Sequence, residues 1–261
     1  KQINLQPLFL NDGLIFFDKT GSIFRYDINE KIIWKKNYYT KSEKKIGPKL
    51  NFAVSGNSLI ITDNIAKIYL IEITSGDLVW SKFNDYPLNS EIKIDKDNFF
   101  VVDYKNTLRC FKINDGSECW NVPTENSLTI SGSKYSIIIS NDLVIFNNSI
   151  GDITAVNIST GLINWQLPTQ NSNIINESYS LINSQLVADE TSLYFSNNKN
   201  EFYSVDLTKG VIKWINKINS TMTPILVDDL IFTISEDGHL ITLHKKQGNI
   251  LRITDIYKDY K

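Results

Sequence analysis

Side chains suited to chemistry are sparse in this sequence. Two histidines, His239 and His244, stand five residues apart in the segment GHLITLHKK. On a strand an odd separation sends two imidazoles to opposite faces, so this pair cannot chelate one ion, and a histidine-based zinc site is not expected. Two cysteines, Cys110 and Cys119, flank the NDGS turn. In a favourable register they would face each other across a hairpin, and a disulfide requires Cα atoms within about 7 Å. A bridge would imply an oxidising compartment, and two buried free thiols are the other reading. No phosphate-cradling glycine loop occurs. Catalytic, cofactor-binding and metal-ligating constellations are all expected to be absent.

The residues that do recur serve architecture. Five tryptophans, Trp34, Trp80, Trp120, Trp165 and Trp214, fall at intervals of 46, 40, 45 and 49 residues and close similar phrases. A sixth phrase, GHLITLHKKQGNILR, ends on Arg252 instead. A period near forty points to solenoids, propellers or arrays. Before each phrase lies a short apolar run: LIFF at 14–17, LIIT at 59–62, FFVV at 99–102, LVIF at 143–146, LYFS at 193–196 and LIFT at 230–233. Such β-branched and aromatic runs read as strands. A polar residue follows each run, namely Asp18, Asp63, Asp103, Asn148, Asn197 or Ser235. Three positions on stand Gly21, Ala66, Asn106, Gly151, Asn200 and Gly238, so the pair reads as turn chemistry.

A second tight turn, marked by Gly76, Gly116, Gly161, Gly210 or Gly248, precedes the tryptophan strand. Repeat one lacks this glycine and is one residue shorter. A further strand is visible before several apolar runs, at 7–10, 92–95, 135–139 and 224–227. Four antiparallel strands per repeat make a blade, and blades arranged radially cover one another's faces while leaving short edges. The expected fold is therefore an all-β propeller, one domain over 1–261. The tryptophans read as packing between adjacent blades with the indole N–H bonded to backbone. Burying one indole removes ~150–250 Å² from water, worth at most ~4–6 kcal/mol. Arg252 is expected to be more exposed than the five indoles.

Composition narrows the function. The 261 residues carry 27 basic and 29 acidic side chains, a net charge of −2, with no basic stripe to favour nucleic acid. The densest basic stretch, Lys35 to Lys45 in the connection after Trp34, reads as a solvated loop. No run approaches eighteen apolar residues, and the first thirty lack a secretory profile. Lys1–Gln6 resembles the link that follows a tryptophan strand, which leads us to expect further residues or whole blades upstream, six to eight in all.

The phrases AVNISTGLINW at 155–165, SVDLTKGVIKW at 204–214 and LIEITSGDLVW at 70–80 resemble the A-x-D-x-x-T-G-x-x-x-W repeat of the pyrroloquinoline quinone (PQQ) type propeller family. The resemblance runs from about Pro7 to Ile256. Its members include quinone-dependent dehydrogenases, the BamB type of outer-membrane assembly lipoprotein and the lumenal domains of stress-sensing kinases. Many of the dehydrogenases are much longer and place a vicinal cysteine pair over the quinone beside a calcium ion; here no cysteines are adjacent and no tryptophan lies outside the repeat positions. The resemblance thus implies a non-catalytic BamB-like scaffold without a cofactor, periplasmic and tied to the outer membrane by an N-terminal lipid anchor that this sequence lacks. It also implies a protein partner in the barrel-assembly machinery. A PQQ-binding dehydrogenase-like propeller and a lumenal stress sensor are the alternatives. The connections 35–49, 121–134 and 166–180 are the candidate binding loops.

Overall fold

The computed structural model describes residues 7–125, 134–169 and 181–258. It consists of six four-stranded antiparallel sheets, each built from strands consecutive in the chain. The chain divides into two compact units, residues 1–121 and 122–261.

In the first unit, blade 1 contains β1 (Leu8–Leu10), β2 (Gly13–Phe17), β3 (Ile23–Asp27) and β4 (Ile32–Lys36). A short helix, α1 (Lys41–Ile46), leads to blade 2: β5 (Leu50–Ser55), β6 (Ser58–Asp63), β7 (Lys67–Glu72) and β8 (Leu78–Phe83). Blade 3 comprises β9 (Lys93–Asp95), β10 (Asn98–Val102), β11 (Thr107–Lys112) and β12 (Glu118–Pro123).

In the second unit, blade 4 holds β13 (Ile137–Ser140), β14 (Leu143–Asn147), β15 (Ile153–Asn157) and β16 (Ile163–Leu167). Blade 5 holds β17 (Val187–Ala188), β18 (Ser192–Asn197), β19 (Glu201–Asp206) and β20 (Ile212–Asn216). Blade 6 holds β21 (Ile225–Val227), β22 (Leu230–Ile234), β23 (His239–His244) and β24 (Ile250–Asp255). The first strands of blades 2 and 5 carry no apolar run of the kind that marked the others: β5 is LNFAVS and β17 is two residues long.

The middle strands are apolar without alternation because both of their faces are covered. Leu59 and Ile61 of β6 join Ile15, Ile23 and Trp34 of blade 1 in one cluster. The intervening Ile60 joins Phe99, Val101 and Phe111 of blade 3 in another. The period-two alternation of a strand thus splits a continuous apolar run between two neighbours. The second unit repeats the arrangement, with Leu193 and Phe195 packed on blade 4 and Tyr194 on blade 6.

The turn between second and third strands has one solution in every blade. Oδ1 of Asp18, Asp63, Asp103, Asn148 and Asn197 accepts from the backbone N–H groups two and four residues ahead, as in Ile65 and Lys67 for Asp63. In blade 6 the Ser235 hydroxyl accepts from His239. The residue at the third position is left-handed throughout, even where it is Ala66 at φ 72°. A single side-chain oxygen holds the turn closed firmly enough to impose this conformation on alanine.

Candidate interaction surface

Four of the five tryptophans are latches between consecutive blades. Trp34 Nε1 donates to Ile73 O at 2.9 Å, Trp80 Nε1 to Ile113 O at 2.9 Å, Trp165 Nε1 to Leu207 O at 3.0 Å and Trp214 Nε1 to Lys245 O at 2.9 Å. Each indole lies over the glycine of the next blade's outer hairpin, where the left-handed backbone leaves no room for a side chain. A Cβ on Gly76 would lie 2.8 Å from Trp34 Cδ2, and one on Gly210 would lie 2.5 Å from Trp165 Cδ2. Trp34 and Trp165 are buried, at 7% and 8% exposure, whereas Trp80, Trp120 and Trp214 are half-buried. Trp120 stacks at a tilt on Phe100, with ring centroids 5.7 Å apart. Arg252, at the sixth position, is exposed.

These indoles occupy the fourth strand at a consistent irregularity. In blades 1, 2, 4, 5 and 6 the pairing of third and fourth strands skips one residue just before the tryptophan position. A bulge of this kind re-aims the side chain that follows it, here toward the neighbouring blade.

With four of the indoles committed to packing, the connections between blades are candidate contact elements beside the exposed outer strands. Of the three singled out, 35–49 is described in full; 121–134 and 166–180 fall largely outside the described residues. The first is not a plain loop but contains α1, opened by a reciprocal cap. Glu43 N–H donates to Thr40 Oγ1 at 3.3 Å, and Thr40 N–H donates to Glu43 Oε2 at 2.7 Å. Gly47 closes the helix in the left-handed conformation. Threonine with glutamate three residues on is a sequence signal for this start, legible in TKSE and overlooked beside the longer-range repeat.

A buried polar chain anchors the connection to blade 2. Tyr39 OH donates to Asp63 Oδ2 at 2.5 Å, and Tyr69 OH donates to Tyr39 OH at 3.3 Å. Lys67 Nζ donates to Tyr38 O at 2.6 Å while lying 4.9 Å above the Tyr39 ring. Burial pushes the Asp63 carboxyl above the usual carboxylate range, against the hydrogen bonds from Tyr39, Lys67 and Ile65. Burial likewise raises both tyrosine hydroxyls, reinforced for Tyr39 by Tyr69 and Asp63. The connection is therefore held from beneath by two tyrosine hydroxyls that stay protonated as donors. On its outer side Lys41, Lys45 and Ile46 are exposed, Ile46 at 65%.

Blade 3 carries a second buried polar group that the sequence did not announce. Arg109 Nε donates to Asp103 Oδ2 at 2.9 Å and Nη1 to Glu118 Oε1 at 3.0 Å, with Asp85 at 3.8 Å. Burial works against the guanidinium charge, but Asp103, Glu118 and Asp85 outweigh it and raise its pKa. In the second unit a cleft of about 190 Å³ is lined by Asp189, Tyr194, Lys213, Asp229, Lys245 and Lys246. Its charges are largely paired, Lys245 with Asp189 at 3.4 Å and Lys213 with Asp206 at 3.6 Å.

The chain matches the family model described as outer membrane protein assembly factor BamB over residues 19–254. It belongs to this family. BamB of Moranella endobia (strain PCIT) is 22% identical over 254 residues, covering 94% of this chain and 65% of that protein. The chain spans just under two thirds of the length of the curated relatives it matches. Among solved structures, BamB from Moraxella catarrhalis superposes with a TM-score of 0.80 at 19% identity, covering 95% of this chain and 75% of that one. A europium-containing methanol dehydrogenase superposes with a TM-score of 0.66 at 12% identity, over 80% and 52% of the two chains. The fold is a β-propeller of four-stranded antiparallel blades, as the repeats led us to expect.

Four of the repeat indoles are not free to serve a quinone. They are held over hairpin glycines, so they cannot sandwich a planar cofactor. Among the described residues no group of three or more His, Cys, Asp or Glu is placed to hold a metal ion, and no helix is long and apolar enough to cross a membrane.

Proposed function

We propose that this chain is a non-catalytic interaction scaffold of outer-membrane β-barrel protein assembly, working in the periplasm at the outer membrane. Its partner in this reading is the barrel-assembly protein itself. The carrying observation is the commitment of the repeated chemistry-bearing residues to the scaffold. Indoles latch blades, and Asp, Asn and Ser side chains close turns. What is left for recognition is a set of connections on rigid supports, and a preorganised loop loses less ordering entropy on association.

Among the described connections, α1 is the element we assign to contact. Its reciprocal cap and the Tyr39–Asp63 anchor fix its position, while Lys41, Lys45 and Ile46 face solvent. An acidic surface with an apolar centre on the partner would complement it. The contact is expected to bury on the order of 1,200–2,000 Å² in total, with a few residues carrying most of the energy.

The test is a pull-down from membranes with the full-length, anchored protein, read against the periplasmic domains of the barrel-assembly protein of the same organism. Wild type is expected to recover it. A Lys41→Glu/Lys45→Glu/Ile46→Asp variant, whose three sites are exposed, is expected to bind about tenfold more weakly. Failure of the wild type to recover the partner overturns the reading. Undiminished binding by the variant removes α1 from the interface and moves it to 121–134 or 166–180. Equilibrium dialysis with PQQ and calcium is expected to show no stoichiometric retention; retention would restore the dehydrogenase-like alternative.

A further inference from the structure

Cys110 and Cys119 are free thiols in this structure, Cys110 buried in β11 and Cys119 exposed on β12. Their register follows from the sister hairpins. The skipped residue before the tryptophan position is Ile33, Val79, Asn164, Lys213 or Leu251 in the other five blades. Aligned on these phrases, Cys119 takes the skipped position in blade 3, and Cys110 matches Leu70, the residue paired with Trp80. A bulge sets two consecutive residues against one, so Cys110 has both Cys119 and Trp120 across from it.

Cys119 is an electrostatic neighbour of the Cys110 thiol, and its own Sγ donates to Asn98 Oδ1 at 3.4 Å. Opposed residues of antiparallel strands have Cα atoms ~4.5–5.5 Å apart, within the ~4.4–6.8 Å that a disulfide spans. Burial, with Cys119 as neighbour, pushes the Cys110 thiol up. Solvent-borne reagents therefore meet Cys119 first, and Cys110 is the protected second partner.

We propose that Cys110 and Cys119 are a closing thiol pair, converted to an intra-hairpin disulfide by exchange with glutathione disulfide or an oxidised dithiol protein. The Cys119 thiolate attacks one sulfur of the oxidant, breaking its S–S bond and expelling one thiolate. Cys110 then loses its proton to water, and its sulfur attacks Cys119 Sγ. The Cys110–Cys119 bond forms and the second half of the oxidant leaves as a thiolate. Two electrons pass to the oxidant, whose two sulfurs take up the two protons that the cysteines release.

The bond would clamp the fourth strand of blade 3 at its bulge, beside the hairpin that receives blade 2. Trp80 Nε1 donates to Ile113 O in that hairpin, and Lys82 Nζ donates to Gly116 O at 2.7 Å. The inference stands apart from the proposed partner, since it needs an oxidising compartment and not a particular complex.

The experiment uses the 261-residue chain, purified with reductant and then exposed to excess glutathione disulfide. After unfolding and alkylation it is read by intact mass and peptide mapping. Expected is a mass loss of about 2 Da, no alkylatable thiol and a linked Cys110–Cys119 peptide, forming faster as pH rises because the Cys110 thiolate limits closure. Cys119→Ser, at an exposed position, is the folding-safe control and is expected to keep Cys110 free, with no adduct before unfolding. A lasting glutathione adduct on Cys119 beside a free Cys110, a covalent dimer through Cys119, or two unreacted thiols would each overturn the proposal.

Discussion

The outer hairpins of blades 1 and 2 occupy the same place in the repeat and differ in what lies above them. In blade 2, Ile73 is 6% exposed, its carbonyl accepts the Trp34 indole, and Gly76 at φ 70° sits beneath the ring. In blade 1, Ile28 at the matching position is 74% exposed, and the left-handed turn residue is Glu30 at φ 62°. Both hairpins require a positive φ, so conformation alone does not dictate glycine. The indole does, because a Cβ beneath it would overlap the ring. Glycine thus fits beneath the indole at Gly76, Gly116, Gly210 and Gly248, while glutamate occupies the exposed turn of blade 1.

The sharpest way to break this comparison is to remove an indole. Trp165→Ala is expected to cost ~3–5 kcal/mol in urea unfolding, since it leaves a cavity and the Leu207 carbonyl without its donor. A loss under ~1 kcal/mol would mean that the latch contributes little to stability. Next in size is Gly76→Ala, expected to cost ~2–3 kcal/mol because it adds a steric clash with Trp34 to a left-handed strain. A cost equal to that of strain alone, ~1 kcal/mol, would show that the ring moves aside freely.

Asp63→Asn probes the anchor beneath α1 and is expected to cost less than ~1 kcal/mol at neutral pH, because asparagine keeps the turn-closing oxygen, as Asn148 and Asn197 do. The pH dependence has a definite sign. Burial raises the folded-state pKa of Asp63 above its ordinary 3.8, so the folded state holds this proton more tightly than the unfolded state. That contribution to stability is complete below 3.8 and fades as pH rises through the folded pKa. Relative to wild type, Asp63→Asn should therefore gain as pH climbs through this window, measured by unfolding midpoints across a pH series. A difference that moves the other way would place the carboxylate, not the acid, in the folded state. The smallest effect is assigned to Glu30→Gly, expected to change stability by under ~1 kcal/mol, with relief of φ strain offset by unfolded-state entropy. A large loss would show that the blade 1 hairpin is covered after all.

Much of the scaffold was legible because its signals are local and repeated. The Asx position, the left-handed residue three places on and the tryptophan phrase each encode a turn or a packing site within a few residues, and six copies lift them above coincidence. β5 and β17 were missed because a strand with a half-exposed or two-residue pattern offers no periodicity of its own and forms by pairing with β6 or β18. Helix α1 was missed although its TKSE start was present, because the Lys-rich stretch reads equally well as a loop.

Composition and repeat spacing by themselves determined the blade, its turns and the family resemblance, since these depend on side-chain periodicity and short-range hydrogen bonds. Tertiary structure alone decided which indoles are fully covered, which hairpin is left open, and that Tyr39, Asp63 and Tyr69, drawn from separate elements, meet in one buried chain. It also left Cys110 buried and Cys119 exposed, a difference that the NDGS turn between them does not encode. The physical reason is that burial and register are set by what the neighbouring strand or blade brings, and no residue carries that information in its own short stretch of sequence.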